Sequence, residues 1–157
     1  ILGDVVRRKP NWLYQNPYMS YVYRLIEKYE LEQNIEFCGR LTPEQMARQM
    51  LSSNAFIMMS CIENHSSTLR EAMYLGVPCI SSAISSVPEF VSNGENGYLY
   101  RYCDDETLAF YIQKILNCPK TAETMSIKAY NSIRNKYPQD NISQSFVDAI
   151  KQALSNR

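Results

Sequence analysis

The sequence lacks a net charge, a long hydrophobic run and a signal-peptide pattern. Lysine plus arginine equals aspartate plus glutamate at 16 each in 157 residues, so no overall field attracts nucleic acid or an anionic membrane. No apolar run approaches the roughly 20 residues that a membrane span needs. We therefore expect a cytoplasmic protein without a transmembrane segment or nucleic-acid partner. As part of a longer protein it could lie peripherally at the inner membrane face.

The sequence also lacks a C-x-x-C spacing, a G-x-G-x-x-G fingerprint and a second histidine. The cysteines are odd in number and far apart, which argues against a disulfide framework and a zinc site. We expect them to be reduced and to serve mostly as small apolar residues. No acid or cysteine near His65 has metal spacing, so we interpret His65 as a loop residue and expect no metal. The absent fingerprint disfavours a dinucleotide site.

Amphipathic segments with capping residues alternate with short apolar runs. This alternation predicts an α/β fold, a Rossmann-like doubly wound parallel sheet with helices on both faces and at the C-terminus. In such sheets ligands bind at the carboxyl ends of the strands. The predicted strands are Asn34–Gly39, Ala55–Ser60, Val77–Ser82 and Tyr98–Arg101. The predicted helices are an Asn16-capped helix to about Leu31, a Thr42-capped helix to about Leu51, Ser67 to Leu75, a short Pro88–Val91, an Asp104-capped helix through Leu116, Pro119 to near Tyr137, and a last one to about Leu154.

Two acids flank a predicted helix start at the carboxyl end of a buried strand. Glu63 follows that strand and Glu71 lies on the first turns of the helix, so both carboxylates face one crevice. Between them Ser66, Ser67 and Thr68 bring backbone N–H groups and hydroxyls to a helix N-terminus, which favours a phosphate. Carboxylates accept hydrogen bonds from sugar and ribose hydroxyls. The layout predicts a site for a nucleotide-diphosphate sugar.

Simpler interpretations of the same residues stay open at this point. Thr68 and Glu71 have the spacing of a capping box, in which Glu71 would only close its own helix terminus. Glu63 fits a solvated loop acid, and a surface role suits Arg70 better than a phosphate contact. A nucleotide-sugar epimerase and a non-catalytic Rossmann-like binding module are the alternative functions.

The order of short motifs around the two acids resembles family 4 glycosyltransferases, which have the two-domain GT-B fold. Glu63, seven residues and Glu71 match the E-x7-E region of that family. The resemblance covers roughly residues 1 to 116 and implies the C-terminal half of a GT-B enzyme. The further matching motifs, in chain order, are Phe37-Cys38-Gly39, Ala72-Met73, Gly76-Val77-Pro78, Pro88-Glu89 and Asn96-Gly97-Tyr98-Leu99.

The resemblance implies a retaining, metal-independent hexosyltransferase without a cofactor. It would move a sugar from a nucleotide-diphosphate donor to a glycan or lipid-linked acceptor, typically in cell-surface polysaccharide synthesis. Glu63, the implied catalytic residue, would hold hydroxyls of the donor sugar, and Glu71 the ribose hydroxyls. The other implied donor contacts are the diphosphate-binding backbone of Ser66, Ser67, Thr68 and Leu69, and the loop Gly39, Arg40 and Leu41 near the base.

Two departures from the family pattern concern loops near the implied ligand. Ser66 stands where the family often has glycine, and Ser85-Ser86 replaces a glycine pair. We expect residues 1–157 to form one C-terminal nucleotide-sugar-binding domain. By the resemblance, we expect the family's first strand and helix, which carry a diphosphate-binding arginine and lysine, and the N-terminal acceptor domain, the expected partner, to lie outside these 157 residues. The chain alone is therefore expected to bind donor without transferring sugar.

Overall fold

A computed structural model describes residues 17–64, 66–136 and 144–155; for residues 144–147 and 149 only the backbone is described. The chain divides into two compact units, Ile1–Leu41 and Thr42–Arg157. The prediction of one domain over residues 1–157 stays a prediction.

No helix within the described ranges combines the length and hydrophobicity needed to span a bilayer. The helices are α1 (Pro17–Lys28), α2 (Pro43–Leu51), α3 (Ser67–Tyr74), α4 (Asp105–Asn117), α5 (Pro119–Lys136) and α6 (Gln144–Ser155).

The first unit contains α1, which ends at Lys28 rather than near Leu31. Glu30 has a φ of 55°, a left-handed conformation. This turn lets the Leu31 N–H donate to the Ile26 carbonyl at 2.9 Å, the bond that closes a helix C-terminus in a Schellman motif. The predicted cap Asn16 lies outside the described residues.

The predicted strand Asn34–Gly39 is wrong, because residues 35–39 form no regular secondary structure. Their side chains are exposed, and Phe37 stacks on Tyr23 of α1 with ring centroids 5.0 Å apart. A strand needs a neighbouring strand for its backbone hydrogen bonds, and the described residues supply none for this segment. The alternating apolar pattern therefore belongs to a loop in which Phe37 contacts α1, and not to a strand.

The second unit contains a parallel three-stranded sheet in the order β1 (Phe56–Met58), β2 (Cys79–Ser82) and β3 (Tyr98–Tyr100). Phe56 lies opposite Cys79, and Ile80 opposite Tyr98. All three strands fall within predicted strands and are shorter than predicted. A single 3₁₀ turn, Val87–Glu89, lies between β2 and β3, where a short helix is predicted.

Apolar side chains cover both faces of this sheet, which confirms the doubly wound prediction. Successive strand residues point to opposite faces, so Cys79 and Ile80 enter different clusters. One cluster contains Met58, Cys79, Leu69, Met73, Ala129 and Ile133, and the other contains Ile80, Tyr98, Tyr100, Ile115, Ala122 and Met125. Helix α5 contributes to both clusters, whereas α3 packs on one face and α4 on the other.

The cysteines correct one expectation from the sequence. All five are free thiols, but only Cys79 is buried, so most of them are not core residues. Burial raises the pKa of the Cys79 thiol well above its ordinary value, which keeps this sulfur protonated and unreactive.

Local signals set the helix boundaries in the second unit. The predicted capping box of α2 is confirmed: the Thr42 N–H donates to Oε1 of Gln45 at 2.8 Å, and the Gln45 N–H returns a bond of 3.3 Å to the Thr42 hydroxyl. Asp104 caps α4 by accepting from the Thr107 N–H at 3.0 Å. Gly76 ends α3 with a φ of 71°, which suits a residue without Cβ.

A buried amide fixes the segment between β2 and β3. Oδ1 of Asn96 accepts from the Ser92 N–H at 2.7 Å, while its Nδ2 donates to the Phe90 carbonyl at 3.0 Å and to the Ser132 hydroxyl at 2.9 Å. Asn96 is only 6% exposed, so water cannot readily replace these partners. The amide therefore ties the segment to α5.

We predict that Asn96→Ala lowers the free energy of unfolding by about 2–3 kcal/mol, because three hydrogen bonds disappear and buried partners stay unsatisfied. Urea denaturation measures this change. Asn131→Ala is the matched control, since Asn131 is exposed on α5. This substitution should change the free energy of unfolding by no more than about 0.5 kcal/mol. Equal stability of the two variants would show that the Asn96 amide contributes nothing.

Candidate functional site

The loop between β1 and α3 carries Glu63, the predicted catalytic residue. Glu63 is half-buried, and within the described part of the chain its carboxylate has no recorded hydrogen bond or ion pair. The loop leaves the carboxyl end of β1, where ligands bind in parallel sheets. Glu63 is therefore a carboxylate available to a ligand. His65 lies outside the described residues.

Ser66 is the N-cap of α3 and is buried, with 1% of its surface exposed. Its hydroxyl donates to the Met58 sulfur at 2.9 Å and accepts from the Leu69 N–H at 3.2 Å. Two of the groups predicted to bind phosphate, the Ser66 hydroxyl and the Leu69 N–H, are thus occupied within the protein. The Leu69 side chain is fully buried.

Ser67 and Thr68 keep the anion-binding character predicted for this helix start. They are the first two residues of α3 and their side chains are exposed. Backbone N–H groups at these positions have no partner inside a helix, and none is recorded for them among the described residues. Together with the helix dipole they favour a negative charge. Their role in donor binding stays a prediction.

Glu71 is the fifth residue of α3, about 7.5 Å along the helix axis from Ser66 at 1.5 Å per residue. The capping-box interpretation is wrong, because the cap is Ser66 and not Thr68. Burial raises the pKa of the half-buried Glu71 carboxyl, and the nearby Arg70 charge opposes this effect only partly. Nε of Arg70 donates to the Ser66 carbonyl at 3.3 Å. Glu71 thus has no local helix-capping role to explain it.

Two serines, Ser82 at the end of β2 and Ser86 in the segment after it, hold the loop that carries Glu63. The buried Ser82 hydroxyl donates to the Ser60 carbonyl at 2.7 Å, and the Ser86 hydroxyl donates to the Asn64 carbonyl. Ser85 has a φ of 45°, which is consistent with glycine in the resembling family at this place. Sequence reasoning noted Ser85-Ser86 only as a departure and missed Ser82 altogether.

Tyr102, which sequence reasoning also missed, follows β3 and is 47% exposed. The thiols of Cys103 and Cys61 raise the pKa of the Tyr102 hydroxyl. Because Cys61 precedes Glu63 by two residues, this effect indicates that the loops after β1 and β3 lie close together. Parallel strands end at the same edge of the sheet, but no spacing in the sequence predicts that Tyr102 lies near Cys61.

The three residues predicted to lie near the base belong to the first unit. Gly39 has a φ of 65°, Arg40 is exposed and Leu41 is half-buried; their role stays a prediction. Within the described ranges, no three His, Cys, Asp or Glu side chains are grouped to hold a metal ion. A cavity of about 630 Å³ opens at the other end of α3, beside Gly76 and Tyr130, and no predicted site residue lines it.

Comparison with known proteins gives the family and the fold of the chain. The sequence profile of the family "Glycosyl transferases group 1" matches residues 3–132. The chain is 25% identical over 126 residues to N-acetyl-alpha-D-glucosaminyl L-malate synthase of Bacillus anthracis, covering 80% of this chain and 32% of that protein. It is 25% identical over 142 residues to the putative colanic acid biosynthesis glycosyltransferase WcaL of Salmonella typhimurium, covering 86% and 35%. The chain thus spans about a third of these relatives.

Solved structures with the same fold are similar over most of the chain. Sucrose-phosphate synthase from Thermosynechococcus elongatus has a TM-score of 0.76 at 23% identity, over 95% of this chain and 37% of that one. Anabaena Alr3699/HepE in complex with UDP-glucose gives 0.73 at 19% identity, over 88% and 36%.

The C-terminal domain of the group 1 glycosyl transferase LpcC from Francisella tularensis has a TM-score of 0.71 at 18% identity, over 78% of this chain and 64% of that one. The fold is therefore that of a GT-B C-terminal domain, and with the family profile matching residues 3–132, the chain belongs to the group 1 glycosyl transferases.

Proposed function

We propose that this chain binds the nucleotide-diphosphate sugar of a retaining glycosyltransferase. The observation that carries the proposal is the arrangement of two carboxylates, Glu63 and Glu71, around the exposed first turn of α3. Neither carboxylate has a structural role that would explain it: Glu63 has no recorded partner within the described residues, and Glu71 does not cap its helix.

The diphosphate would bind the N–H groups of Ser67 and Thr68. Both residues are exposed, and a helix N-terminus attracts anions through unpaired donors and the helix dipole. The Ser66 hydroxyl would not take part, because it already bridges Met58 and Leu69. Its role would be to hold the helix start in position for the phosphates.

The carboxylates would bind hydroxyl groups on the two sides of the diphosphate. Glu63 lies in the loop that precedes α3 and would accept hydrogen bonds from the donor sugar. Glu71 lies on the second turn of α3 and would accept from the ribose. Complexes with UDP-glucose are known for HepE, which has the same fold.

In the proposed reaction the bond between the anomeric carbon and the diphosphate oxygen breaks, and the acceptor hydroxyl oxygen bonds to the same face of that carbon. The leaving diphosphate takes the bonding electrons, and one of its oxygens accepts the proton that the acceptor hydroxyl loses. Stabilising the developing diphosphate charge at the start of α3 lowers the barrier. Charge stabilisation at a helix N-terminus requires no metal, so we propose a metal-independent reaction.

The setting that we propose is the assembly of a cell-surface polysaccharide, with a glycan or lipid-linked acceptor. The match to a putative colanic acid biosynthesis glycosyltransferase supports this setting. Acceptor binding would require residues beyond this chain, which spans about a third of its relatives.

Calorimetry with a panel of nucleotide sugars tests the proposal on the purified chain. We expect weak binding of one nucleotide family, unchanged by EDTA or by added Mg²⁺, and no sugar transfer to an acceptor, since reacting groups must be held together for turnover. A strict Mg²⁺ requirement would refute the metal-independent mechanism. Turnover by the chain alone would refute its dependence on other residues.

Glu71→Gln distinguishes a ribose ligand from a surface acid. Loss of the charge should weaken binding of the nucleotide identified by the panel by about 1–3 kcal/mol, or roughly five- to somewhat over a hundredfold. The 2′,3′-dideoxy nucleotide has no hydroxyls to donate and should bind wild type and variant about equally. If the variant discriminates between ribose and dideoxyribose as strongly as wild type, Glu71 does not bind the ribose.

The raised pKa of Glu71 gives a second prediction, on stability and pH. A carboxyl that holds its proton more tightly in the folded state stabilises the fold below its ordinary pKa, and this contribution is lost as pH rises through the raised value. Glu71→Gln keeps the neutral form, so it should become more stable relative to wild type between pH 4 and pH 7, as measured by urea denaturation.

Glu44→Gln is the control with the opposite sign. The Thr42 hydroxyl donates to Glu44 and lowers the pKa of its carboxyl. Its stabilising contribution is present above the ordinary pKa and is lost as pH falls through the lowered value. The variant should therefore lose stability relative to wild type as pH rises. The same trend in both variants would show that burial does not govern Glu71.

A further inference from the structure

Two serine hydroxyls bind the loop that carries Glu63 at both of its ends. The Ser82 hydroxyl donates to the Ser60 carbonyl at 2.7 Å and the Ser86 hydroxyl to the Asn64 carbonyl, in each case across 22 positions of the sequence. We call these two hydrogen bonds the serine latch. Glu63 lies between the two carbonyls that the latch holds.

Ser86 occupies a position where a serine side chain usually caps the helical turn that follows it. It immediately precedes the 3₁₀ turn Val87–Glu89, and a serine at such a cap accepts from a backbone N–H of that turn. No side-chain cap bond is present here. The hydroxyl instead donates to Asn64, so its hydrogen-bonding capacity is directed at the Glu63 loop. A glycine at position 86 could not form this bond.

The backbone before Ser86 is shaped for this contact. Ser85 adopts a φ of 45°, a left-handed conformation that is unfavourable for a residue with a Cβ. Such conformations persist where the surrounding structure imposes them, and they are frequent at functional sites. The conformation of Ser85 turns the chain at the end of β2 and precedes the Ser86 contact directly.

Glu63 depends on this support because its own side chain has no recorded partner among the described residues. The position of its carboxylate follows from the loop backbone, and the latch fixes that backbone on both sides. A neutral hydrogen bond contributes modestly to stability, but a carboxylate that is misplaced by an ångström binds its ligand poorly.

We propose that Ser86 is a positioning residue, which holds Glu63 ready for the donor sugar through the Asn64 carbonyl. The inference rests on the proposed donor-binding function. Ser82 supports the same loop at its other end, but it is fully buried in β2, and its substitution would also disturb the sheet. Ser86 is only partly buried and is the residue to test.

The first experiment needs no ligand. NMR relaxation gives order parameters for the backbone amides of residues 61–64 in the 157-residue chain. We expect values near 0.85 in wild type and a fall toward 0.6 in Ser86→Ala, the range that separates rigid from flexible backbone. Ser86→Thr keeps a hydroxyl and should restore the wild-type values.

Ser53→Ala is the matched control, because the exposed Ser53 also donates its hydroxyl to a backbone carbonyl, that of Gln49 at 2.6 Å on α2. It should leave residues 61–64 unchanged. If Ser86→Ala changes these amides no more than Ser53→Ala does, the latch does not order the loop and the proposal fails.

The second experiment compares UDP-glucose with UDP by calorimetry. Ser86→Ala should weaken UDP-glucose binding about two- to tenfold and leave UDP binding unchanged, because only the sugar reaches Glu63. In a Glu63→Gln background the same substitution should have no further effect, as a double-mutant cycle shows. The positioning role would be overturned if Ser86→Ala weakened binding of UDP and UDP-glucose equally. It would also be overturned if Ser86→Ala weakened UDP-glucose binding as much in the Glu63→Gln background as in wild type.

The two experiments separate this proposal from the proposed function. If wild type binds neither UDP nor UDP-glucose, a uridine donor is refuted, while the order parameters still decide whether Ser86 orders the Glu63 loop. If UDP-glucose binds but the order parameters of Ser86→Ala equal those of wild type, donor binding stands and the latch is refuted.

Discussion

The junction between β1 and α3 depends on one buried hydroxyl. Ser66 donates to the Met58 sulfur at the end of β1 and accepts from the Leu69 N–H in the first turn of α3. Since its side chain is almost fully inaccessible, water cannot replace either partner, and the helix start is held directly against the strand end. The exposed N–H groups of Ser67 and Thr68 receive their position from this contact. The core thus positions the helix N-terminus that we propose as the phosphate site.

The acids around this junction show the cost of keeping a site open. Glu71 is half-buried and its carboxyl is harder to ionise as a result, with only partial relief from Arg70. Glu63 has no recorded partner within the described ranges. A fold selected for stability alone would pair such charges or replace them, since an unpaired buried charge is unfavourable. Their presence beside the exposed Ser67 and Thr68 at the start of α3 supports the proposed ligand with several hydroxyl groups.

The end of β2 and the segment between β2 and β3 link the β1–α3 loop to the rest of the second unit. Ser82 and Ser86 donate hydrogen bonds to the β1–α3 loop. Asn96, later in the same segment, donates to Ser132 on α5. Helix α5 in turn contributes Ile133 to the apolar cluster on one side of the sheet and Met125 to the cluster on the other. The segment between β2 and β3 is therefore supported from the site on one side and from the core on the other.

The sequence by itself determined the features that depend on neighbours within a few residues. The Thr42 capping box, the Asp104 cap, the apolar cores of the three strands and the spacing of Glu63 and Glu71 were all predictable, because helix caps and strand periodicity act locally. The tertiary structure decided that Ser66 rather than Thr68 caps α3, since the buried Ser66 hydroxyl also bonds the Met58 sulfur. It also decided that residues 35–39 form no strand, because a strand exists only with a paired neighbour. The bond from Ser86 to Asn64 joins groups 22 positions apart, and only the folding of two strands into one parallel sheet brings such groups together.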